Sequence, residues 1–224
     1  MRDNLLIGYV VMDVLFVTTG ALLIIFALMT EAEMAKELTA ETVVQDLLLA
    51  MCPLNAAIGN AVLVFITFLL SVPAIVMPGT RGWLKVHGYM TVVCALFTMI
   101  LGLSIWFETL ETRKNLSNIW NKQKPEVQSL LQVQLNCCGY MNSTSPPFVV
   151  DATCPNGLVA AARVGCVSPY STIANNFLDR IFTGAFGIVG IDVALVLATA
   201  MLLKDRKEKQ RYRAIDEKNS GGGF

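Results

Sequence analysis

Four cysteines stand close together in the second half of the chain, and their thiols could form two disulfide bonds. They are Cys137, Cys138, Cys154 and Cys166. Disulfides persist in oxidising compartments outside the cytosol, so we expect this segment to face such a compartment. Four cysteines allow three pairings, and a bridge between the neighbours Cys137 and Cys138 would distort disulfide geometry. Each of the two remaining pairings ties the chain between 138 and 166 to one point.

Two carboxylates, Asp13 and Asp192, interrupt long apolar stretches and could carry a different chemistry. Each lies roughly 12–17 Å along a helix from its predicted cytosolic end. An ionised carboxylate at the centre of a bilayer costs about 2.5–3.5 kcal/mol on insertion scales, so both should face the inside of a helix bundle. One hypothesis is a path for protons or cations. The hypothesis that we favour is a hydrogen-bonded contact between the first and fourth spans, while Asn60 would need a partner of its own.

The hydropathy of the chain predicts the elements that position these groups. The chain is 54% hydrophobic and 15% charged, whereas soluble domains average about 25% charged residues. The apolar residues form four blocks of membrane-spanning length, at 5–29, 54–77, 86–107 and 181–203. We therefore expect an all-α membrane protein with a bundle of four transmembrane helices. The first block is longer than the apolar part of a signal peptide, and we interpret it as a retained span.

Charge asymmetry predicts the orientation of the four spans. The tail 204–224 and the short turn 78–85 carry Lys and Arg, whereas the segment 30–53 carries one lysine against five acidic residues. Because Lys and Arg accumulate on the cytosolic side, both termini should be cytosolic, with the first span inside residues 1–29. The small loop 30–53 and the large loop 108–180 should then be extracellular.

The large loop 108–180 is expected to be a disulfide-stapled, partly helical domain. Pro125 starts a predicted helix whose apolar face repeats every three to four residues. Residues 108–122 should continue the third span outward as a helix, and 170–180 should lead as a helix into the fourth. After the helix that starts at Pro125, the segment 142–157 is rich in turn-forming residues, and we expect it to form an irregular excursion. Its apolar stretch 148–150 is either a contact surface for a partner or the small core of the loop.

Several residues are candidates for modification or sorting. The large loop contains two N-glycosylation sequons, at Asn115 and Asn142. Cys94 in the third span is a candidate for palmitoylation, although we favour a buried small side chain there. Tyr212 and Ile215 have the spacing of a tyrosine-based sorting signal. The basic tail around them favours contact with anionic lipid, and its simpler role, which we favour, is a stop-transfer and orientation signal.

Small and polar residues predict the faces along which the spans pack, because helices in lipid associate where their backbones approach closely. Three spans repeat such residues at a spacing of seven, which is typical of a left-handed bundle. The predicted faces are Asp13, Gly20 and Ala27; Asn60, Thr67 and Ala74; Gly88, Ala95 and Gly102; and, in the fourth span, Gly190, Ala194 and Ala198.

The sequence contains no recognisable catalytic set, and we expect a protein that is not an enzyme and holds no metal. The only histidine, His87, lies at the cytosolic mouth of the third span. There is no Gly-rich phosphate loop and no CxxC motif. The net charge of zero argues against a nucleic-acid partner. The alternative function that we consider is a small proton- or cation-coupled transporter or channel that uses Asp13 and Asp192.

The order of these elements resembles the tetraspanin family over essentially the whole chain. Four spans, a small first loop, a short cytosolic turn and a large second loop are typical of that family. The specific signature is Cys137-Cys138-Gly139 at the end of a loop helix, followed by two more cysteines before the fourth span. The chain is most similar to the tetraspanins of filamentous fungi that are associated with appressorium-mediated host penetration.

The resemblance implies that Cys137 pairs with Cys166 and Cys138 with Cys154. It also implies an organiser that associates laterally with other membrane proteins, such as other tetraspanins and an NADPH oxidase complex, in polarised growth at the penetration site. We expect a location in the plasma membrane or in endosomal or vacuolar membranes. No cofactor is expected, apart from a sterol or another lipid between the spans. The chain departs from the family pattern at Asp13, where Asn is common.

Overall fold

The computed structural model describes residues 2–77 and 81–220, and the side chains within 4–77 and 81–218. The predicted turn 78–85 and the tail 204–224 are therefore described only in part. Within these ranges the chain forms eight α-helices and no β-strand. The helices are α1 (Arg2–Met34), α2 (Val43–Leu49), α3 (Leu54–Val76), α4 (Arg81–Leu110), α5 (Thr112–Lys122), α6 (Pro125–Leu135), α7 (Gly157–Ala162) and α8 (Val167–Ser220).

Four of these helices, α1, α3, α4 and α8, are long and apolar enough to cross a membrane. In each, an 18-residue window reaches a mean hydropathy of 2.2 to 2.4, and only 28% to 33% of that window is buried inside the protein. Helices that expose so much apolar surface need lipid around them. Within the described residues, the prediction of an all-helical chain with four helices that could cross a membrane is confirmed.

The described chain divides into two units. The membrane unit comprises Met1–Phe26, Asn55–Ile100 and Ala185–Phe224, and the loop unit comprises Ala27–Leu54 and Leu101–Gly184. Helices α1, α4 and α8 have residues in both units. Each of these helices is also longer than the apolar block that predicts it. The tail beyond residue 203 continues α8 as a helix to Ser220.

The core of the membrane unit lies where one stripe of each long helix faces its neighbours. Its apolar members are Tyr9, Phe16, Val64, Ala74, Leu84, Cys94, Leu195, Ala198 and Leu202. Gly20 brings α1 close to α3, because a Cβ atom at Gly20 would lie 2.7 Å from the Val64 Cγ1 atom. Close approach of this kind is what associates helices in lipid.

The predicted packing faces are correct for the first two spans and only partly correct for the others. All six predicted residues of α1 and α3 are buried. On α4, the buried stripe runs one position away from Gly88 and Ala95, and on α8 Gly190 is exposed. Polar side chains select the inner face of α4, because lipid penalises them more than it rewards small ones. They are His87, Thr91 and Thr98, and Cys94 lies on the same face.

The helices of the large loop follow the prediction except at its start. α6 begins at Pro125, and α8 already begins at Val167. The third span does not continue as one helix, however, since α4 ends at Leu110 and α5 begins at Thr112. The Thr112 hydroxyl donates to the Thr109 carbonyl oxygen at 2.8 Å and competes with the helical N–H groups there. The sequence pattern does not predict α2 and α7, because they are too short to show a helical period.

The loop unit has a core of its own, and both loops contribute to it. Helix α2, from the small loop, contributes Val43, Val44 and Leu48, and the large loop contributes Leu116, Trp120, Leu131, Cys137, Tyr140, Cys166, Tyr170 and Ala174. A separate small cluster consists of Cys138, Cys154 and Ala160, against which Phe148 packs. We call these the large cluster and the small cluster.

A sharp backbone turn follows α6 and includes the Cys-Cys-Gly sequence. Asn136 ends the helix in the left-handed conformation with φ of 51°, and Gly139 has φ of 70°. Glycine adopts this conformation without strain, whereas residues with a Cβ atom do so at a cost. A Cβ atom at Gly139 would also clash with the backbone carbonyl oxygen of Asn142, and one at Gly165 with that of Met141. Close backbone packing therefore requires glycine at both positions.

Replacing Gly139 by alanine should destabilise the loop unit by at least about 2 kcal/mol, because the new Cβ atom meets backbone that cannot move without opening the turn. The measurement is the protease resistance of the loop in the full-length protein at rising temperature. Gly157→Ala is the matched control, since no atom lies within 4 Å of a Cβ built there. Equal resistance of the two variants would contradict the requirement for glycine at the turn.

Candidate functional site

The four cysteines of the large loop form two disulfides in the loop unit. Cys137 pairs with Cys166 at a Cα–Cα distance of 5.0 Å, and Cys138 pairs with Cys154 at 5.9 Å. Both distances are ordinary for disulfides. All four side chains are fully buried. This is the pairing that the tetraspanin resemblance implies, so the turn at the end of α6 anchors both bridges.

The free thiol of Cys52 lies just before α3, at the edge of the loop unit's small-loop segment. Its sulfur lies 3.8 Å from the Leu48 carbonyl oxygen. Burial raises the pKa of the Cys52 thiol to about 11. Because the thiolate is the reactive form, burial lowers the reactivity of this cysteine at neutral pH.

A buried amide joins the cysteine turn to the irregular excursion. Gln132, on α6, has no exposed surface. Its Oε1 accepts hydrogen bonds from the N–H groups of Gly139 (3.2 Å) and Val149 (3.1 Å). Its Nε2 donates to the Val149 carbonyl oxygen and to Asp151 Oδ2, each at 2.7 Å. Asp151 Oδ1 in turn accepts from the Cys154 N–H at 2.7 Å. The Gln132 side chain thus satisfies backbone N–H and carbonyl groups that no strand or helix pairs.

A second glutamine, Gln134, joins the small loop to the large loop. Its Oε1 accepts from the Val44 N–H at 3.1 Å, and its Nε2 donates to the Glu41 carbonyl oxygen at 2.6 Å. Within the large cluster, the Tyr140 hydroxyl donates to the Arg113 carbonyl oxygen at 2.8 Å. Burial raises the pKa of Tyr140 to about 12, so its hydroxyl remains a donor throughout the physiological pH range. The two loops thus form one unit through both apolar and polar contacts.

The stretch 148–150 is predicted to be either a contact surface or the small core of the loop, and each description applies to only part of it. Phe148 packs against the small cluster, whereas Val150 is 71% exposed. Val150 belongs to a set of large apolar side chains that are 62% to 87% exposed and lie within four residues of a disulfide cysteine. We call this set the exposed apolar surface, and it consists of Met141, Val150, Leu158 and Val164.

Asp13 lies in a buried polar network of the membrane unit, but its partners differ from those expected. Ser71 of α3 donates to Asp13 Oδ2 at 2.5 Å. The His87 Nε2 atom of α4 lies 3.2 Å from Asp13 Oδ1, which is an ion-pair distance without hydrogen-bond alignment. The His87 Nδ1 atom shares a hydrogen bond with the Tyr9 hydroxyl at 3.1 Å. These four side chains are at most 2% exposed. Asp13 therefore joins α1 to α3 and lies beside α4, and among the described residues it makes no direct hydrogen bond to the predicted fourth span.

Asp192 is also buried, at 1% exposure, but neither carboxylate oxygen has a hydrogen-bond partner among the described residues. The expected partner, Asp13, is engaged elsewhere. Asn60 does find a partner of its own, since its Nδ2 donates to the Thr98 hydroxyl oxygen at 2.8 Å. The Oδ1 atom of Asn60 remains without a partner in the described chain. A buried polar atom without a partner is costly, so Asp192 is the least satisfied of the three predicted polar residues.

The structure argues against two of the predicted modification and sorting sites. Cys94 has no exposed surface, and its sulfur lies 3.4 Å from the Thr67 hydroxyl oxygen. A palmitoylating enzyme cannot reach a thiol inside the bundle, so the buried small side chain is the better interpretation. Tyr212 and Ile215 are exposed, but both lie inside α8. Binding in an extended form would require this helix to unwind there.

The two sequons lie in different surroundings. Asn115 is half-buried within α5, and its Nδ2 donates to Glu108 Oε2 at 2.6 Å. Asn142 is exposed in the excursion, where its Oδ1 accepts from both the N–H and the hydroxyl of Thr144, each at 2.9 Å. Only Asn142 therefore lies in a surface turn.

An apolar groove of about 250 Å³ lies between α4 and α8 in the membrane unit. Its walls carry no charged side chain, and its size suits part of a lipid chain. It is lined by Val92, Ala95, Leu96, Met99, Val189, Val193, Val196 and Leu197.

Sequence reasoning misses the residues that organise both units, His87 and Gln132. The spacing of four, three and four between His87, Thr91, Cys94 and Thr98 is the available signal for the first, since it places three polar side chains and a cysteine on one helical face. No such signal exists for Gln132, whose partners lie in an irregular segment.

Comparison with protein-family models, curated proteins and solved structures finds no match to this chain. The tetraspanin resemblance consequently depends on the order of the elements and on the cysteine turn.

Replacing Gln132 by leucine should destabilise the loop unit by about 3–5 kcal/mol. The change leaves two N–H groups, a carbonyl oxygen and a carboxylate oxygen unpaired, and each buried unpaired group costs roughly 1–3 kcal/mol. Gln123→Leu is the control, because the Gln123 side chain makes none of the described hydrogen bonds. Urea titration of the full-length protein, followed by protease sensitivity of the loop, measures the difference. Indistinguishable midpoints would show that the amide bonds do not stabilise the loop unit.

Replacement of the two intramembrane carboxylates by leucine should affect the stability of the membrane unit differently. Asp13→Leu should lower the stability of the membrane unit, because it leaves the buried Ser71 hydroxyl without its acceptor and removes the carboxylate that lies 3.2 Å from His87 Nε2. Asp192→Leu should leave stability unchanged or raise it by up to roughly 3 kcal/mol, because it removes an unpaired polar group from the bundle. Melting temperatures in one detergent provide the measurement. A larger loss for Asp192→Leu than for Asp13→Leu would overturn the described network.

Proposed function

We propose that this protein is a membrane organiser of the tetraspanin type, which associates laterally with other membrane proteins through its loop unit and its spans. The cysteine turn is the observation that carries the proposal. Cys137 and Cys138 bond to two different later cysteines, and Gly139 follows them in the left-handed conformation. Four apolar helices in the order typical of tetraspanins add support.

In this proposal, the loop unit faces the exterior and both termini lie in the cytosol. Two buried disulfides support the exterior placement, because the cytosol keeps thiols reduced. The Lys- and Arg-rich tail that continues α8 supports the cytosolic placement of the carboxyl end.

The exposed apolar surface of the loop unit supports contact with other proteins. Large apolar side chains at 62% to 87% exposure are available for apolar contact with another protein. The long helices offer a second contact surface within the membrane, because most of their apolar residues face outward. The groove between α4 and α8 supports bound lipid, either a sterol or an acyl chain.

The same resemblance suggests the biological setting. We place the protein in the plasma membrane, or in endosomal or vacuolar membranes, of a filamentous fungus. Its role there is polarised growth during appressorium-mediated host penetration, with other tetraspanins and an NADPH oxidase complex as partners. The proposal includes no enzymatic activity, no nucleic-acid partner and no cofactor.

Cross-linking on intact cells, followed by capture of the tagged full-length protein in a mild detergent, tests the organiser function. We expect co-captured membrane proteins whose yield falls at least about fivefold in the double variant Leu158→Ser, Val164→Ser, since about 1 kcal/mol of lost contact has that effect. Leu38→Ser is the control, because Leu38 is an exposed apolar residue of the loop unit outside this surface. A protein that is captured alone under these conditions would contradict the proposal.

A transporter or channel is the second candidate, and the unpartnered carboxylate of Asp192 is the observation that favours it. Proton or cation flux into liposomes that contain the purified protein provides the test. If the protein is an organiser, the liposomes show no flux, and Asp13→Asn and Asp192→Asn retain co-capture. Flux that stops in either variant would support transport instead.

A further inference from the structure

We infer that Asn142, and not Asn115, is the residue of the loop unit that receives an N-linked oligosaccharide. The inference rests on the exterior placement of the loop unit in the proposed function. Both residues occupy sequons of the Asn-x-Ser/Thr pattern, Asn115-Leu116-Ser117 and Asn142-Ser143-Thr144. The structure distinguishes them by backbone conformation, burial and the bonds of the acceptor amide.

Asn142 lies in a tight surface turn that presents its amide nitrogen. The Met141 N–H donates to the Ser145 carbonyl oxygen at 3.1 Å and closes the turn. The Thr144 N–H and hydroxyl both donate to Asn142 Oδ1 at 2.9 Å. Both of these hydrogen bonds are thus accepted by the amide oxygen, and the Nδ2 atom has no hydrogen-bond partner among the described residues. Asn142 and Thr144 are both exposed.

Asn115 has the opposite environment. Its sequon lies entirely within α5, where residues two apart point about 200° away from each other, so the Ser117 hydroxyl cannot reach the Asn115 side chain. Its Nδ2 already donates to Glu108 Oε2 at 2.6 Å. The middle residue, Leu116, has no exposed surface and belongs to the large cluster. A modifying enzyme could hold this sequon in an extended form only by removing Leu116 from the core.

The modification transfers an oligosaccharide from a lipid-linked pyrophosphate donor. A bond forms between Asn142 Nδ2 and C1 of the first sugar, while the bond between C1 and the pyrophosphate oxygen breaks. The lipid pyrophosphate leaves with that electron pair, and Nδ2 loses one proton to a base of the transferase. The amide side chain keeps its carbonyl oxygen, so the bonds from Thr144 are compatible with the product.

The test follows the electrophoretic mobility of the full-length protein from eukaryotic cells, before and after treatment with peptide N-glycosidase. The unchanged protein and Asn115→Gln should each lose one glycan on treatment, and Asn142→Gln should show no shift. Thr144→Ala should abolish the shift and Thr144→Ser should retain it, which separates loss of the hydroxyl from misfolding. A shift retained in Asn142→Gln, or two glycans on the unchanged protein, would overturn the inference.

A reporter sequon distinguishes failure of the inference about Asn142 from failure of the exterior placement in the proposed function. Leu158→Thr creates a third sequon at Asn156, at the start of α7, with one change at a side chain that is 87% exposed. If the reporter carries a glycan and Asn142 does not, the inference fails while the exterior placement stands. If neither carries a glycan, the exterior placement and the inference both fail.

Discussion

The loop unit depends on one backbone turn that sends the side chains of two neighbouring cysteines in opposite directions. Cys137 enters the large cluster together with Trp120, and Cys138 enters the small cluster together with Ala160. Gly139 permits the turn, because its left-handed conformation and its contact with the next backbone segment leave no room for a Cβ atom. Each disulfide therefore ties a different cluster to the end of α6. A single bridge from one cysteine would leave one cluster without a covalent tie to the end of α6.

The disulfides alone do not account for the order of the excursion that they close. They span 29 and 16 residues, and each contributes roughly 2–4 kcal/mol by restricting the unfolded chain. That contribution fixes the ends of the segment and leaves its backbone polar groups to find partners. Gln132 and Asp151 supply these partners for the cysteine turn, for Val149 and for Cys154. Since the bridges hold the donors beside the acceptors, the two kinds of bond are coupled and their energies are not additive.

Features that depend on local sequence could mostly be predicted, together with the inner faces of the first two spans, whereas most contacts between residues distant in sequence could not. The four spans are apparent because an apolar run of membrane length is a local property, and α6 is apparent from Pro125 and its apolar period. The break before Thr112 depends on a side-chain hydroxyl, and α2 is ordered by the core it joins. The partners of Asp13 depend on which faces of α1, α3 and α4 meet. The similar depth of Asp13 and Asp192 in the membrane predicts that they lie side by side, whereas in the structure the packing of the helices brings Asp13 beside His87.

The membrane unit divides its buried polar groups unequally among the helices. The bonds of Asp13 join α1 to α3, and the bond between Asn60 and Thr98 joins α3 to α4, so directional contacts fix these three helices in register. On α8, Asp192 and the Nη1 atom of Arg206 have no partner within the described chain. These two side chains still interact electrostatically with other helices, since Arg206 faces Tyr9 of α1 and Asp192 faces Cys94 of α4. Close packing adds to these interactions, as where Gly88 leaves room for Thr199. At these positions α8 is therefore held by packing and by non-directional charge interactions, which tolerate small shifts better than aligned hydrogen bonds do, since a bond weakens steeply with angle.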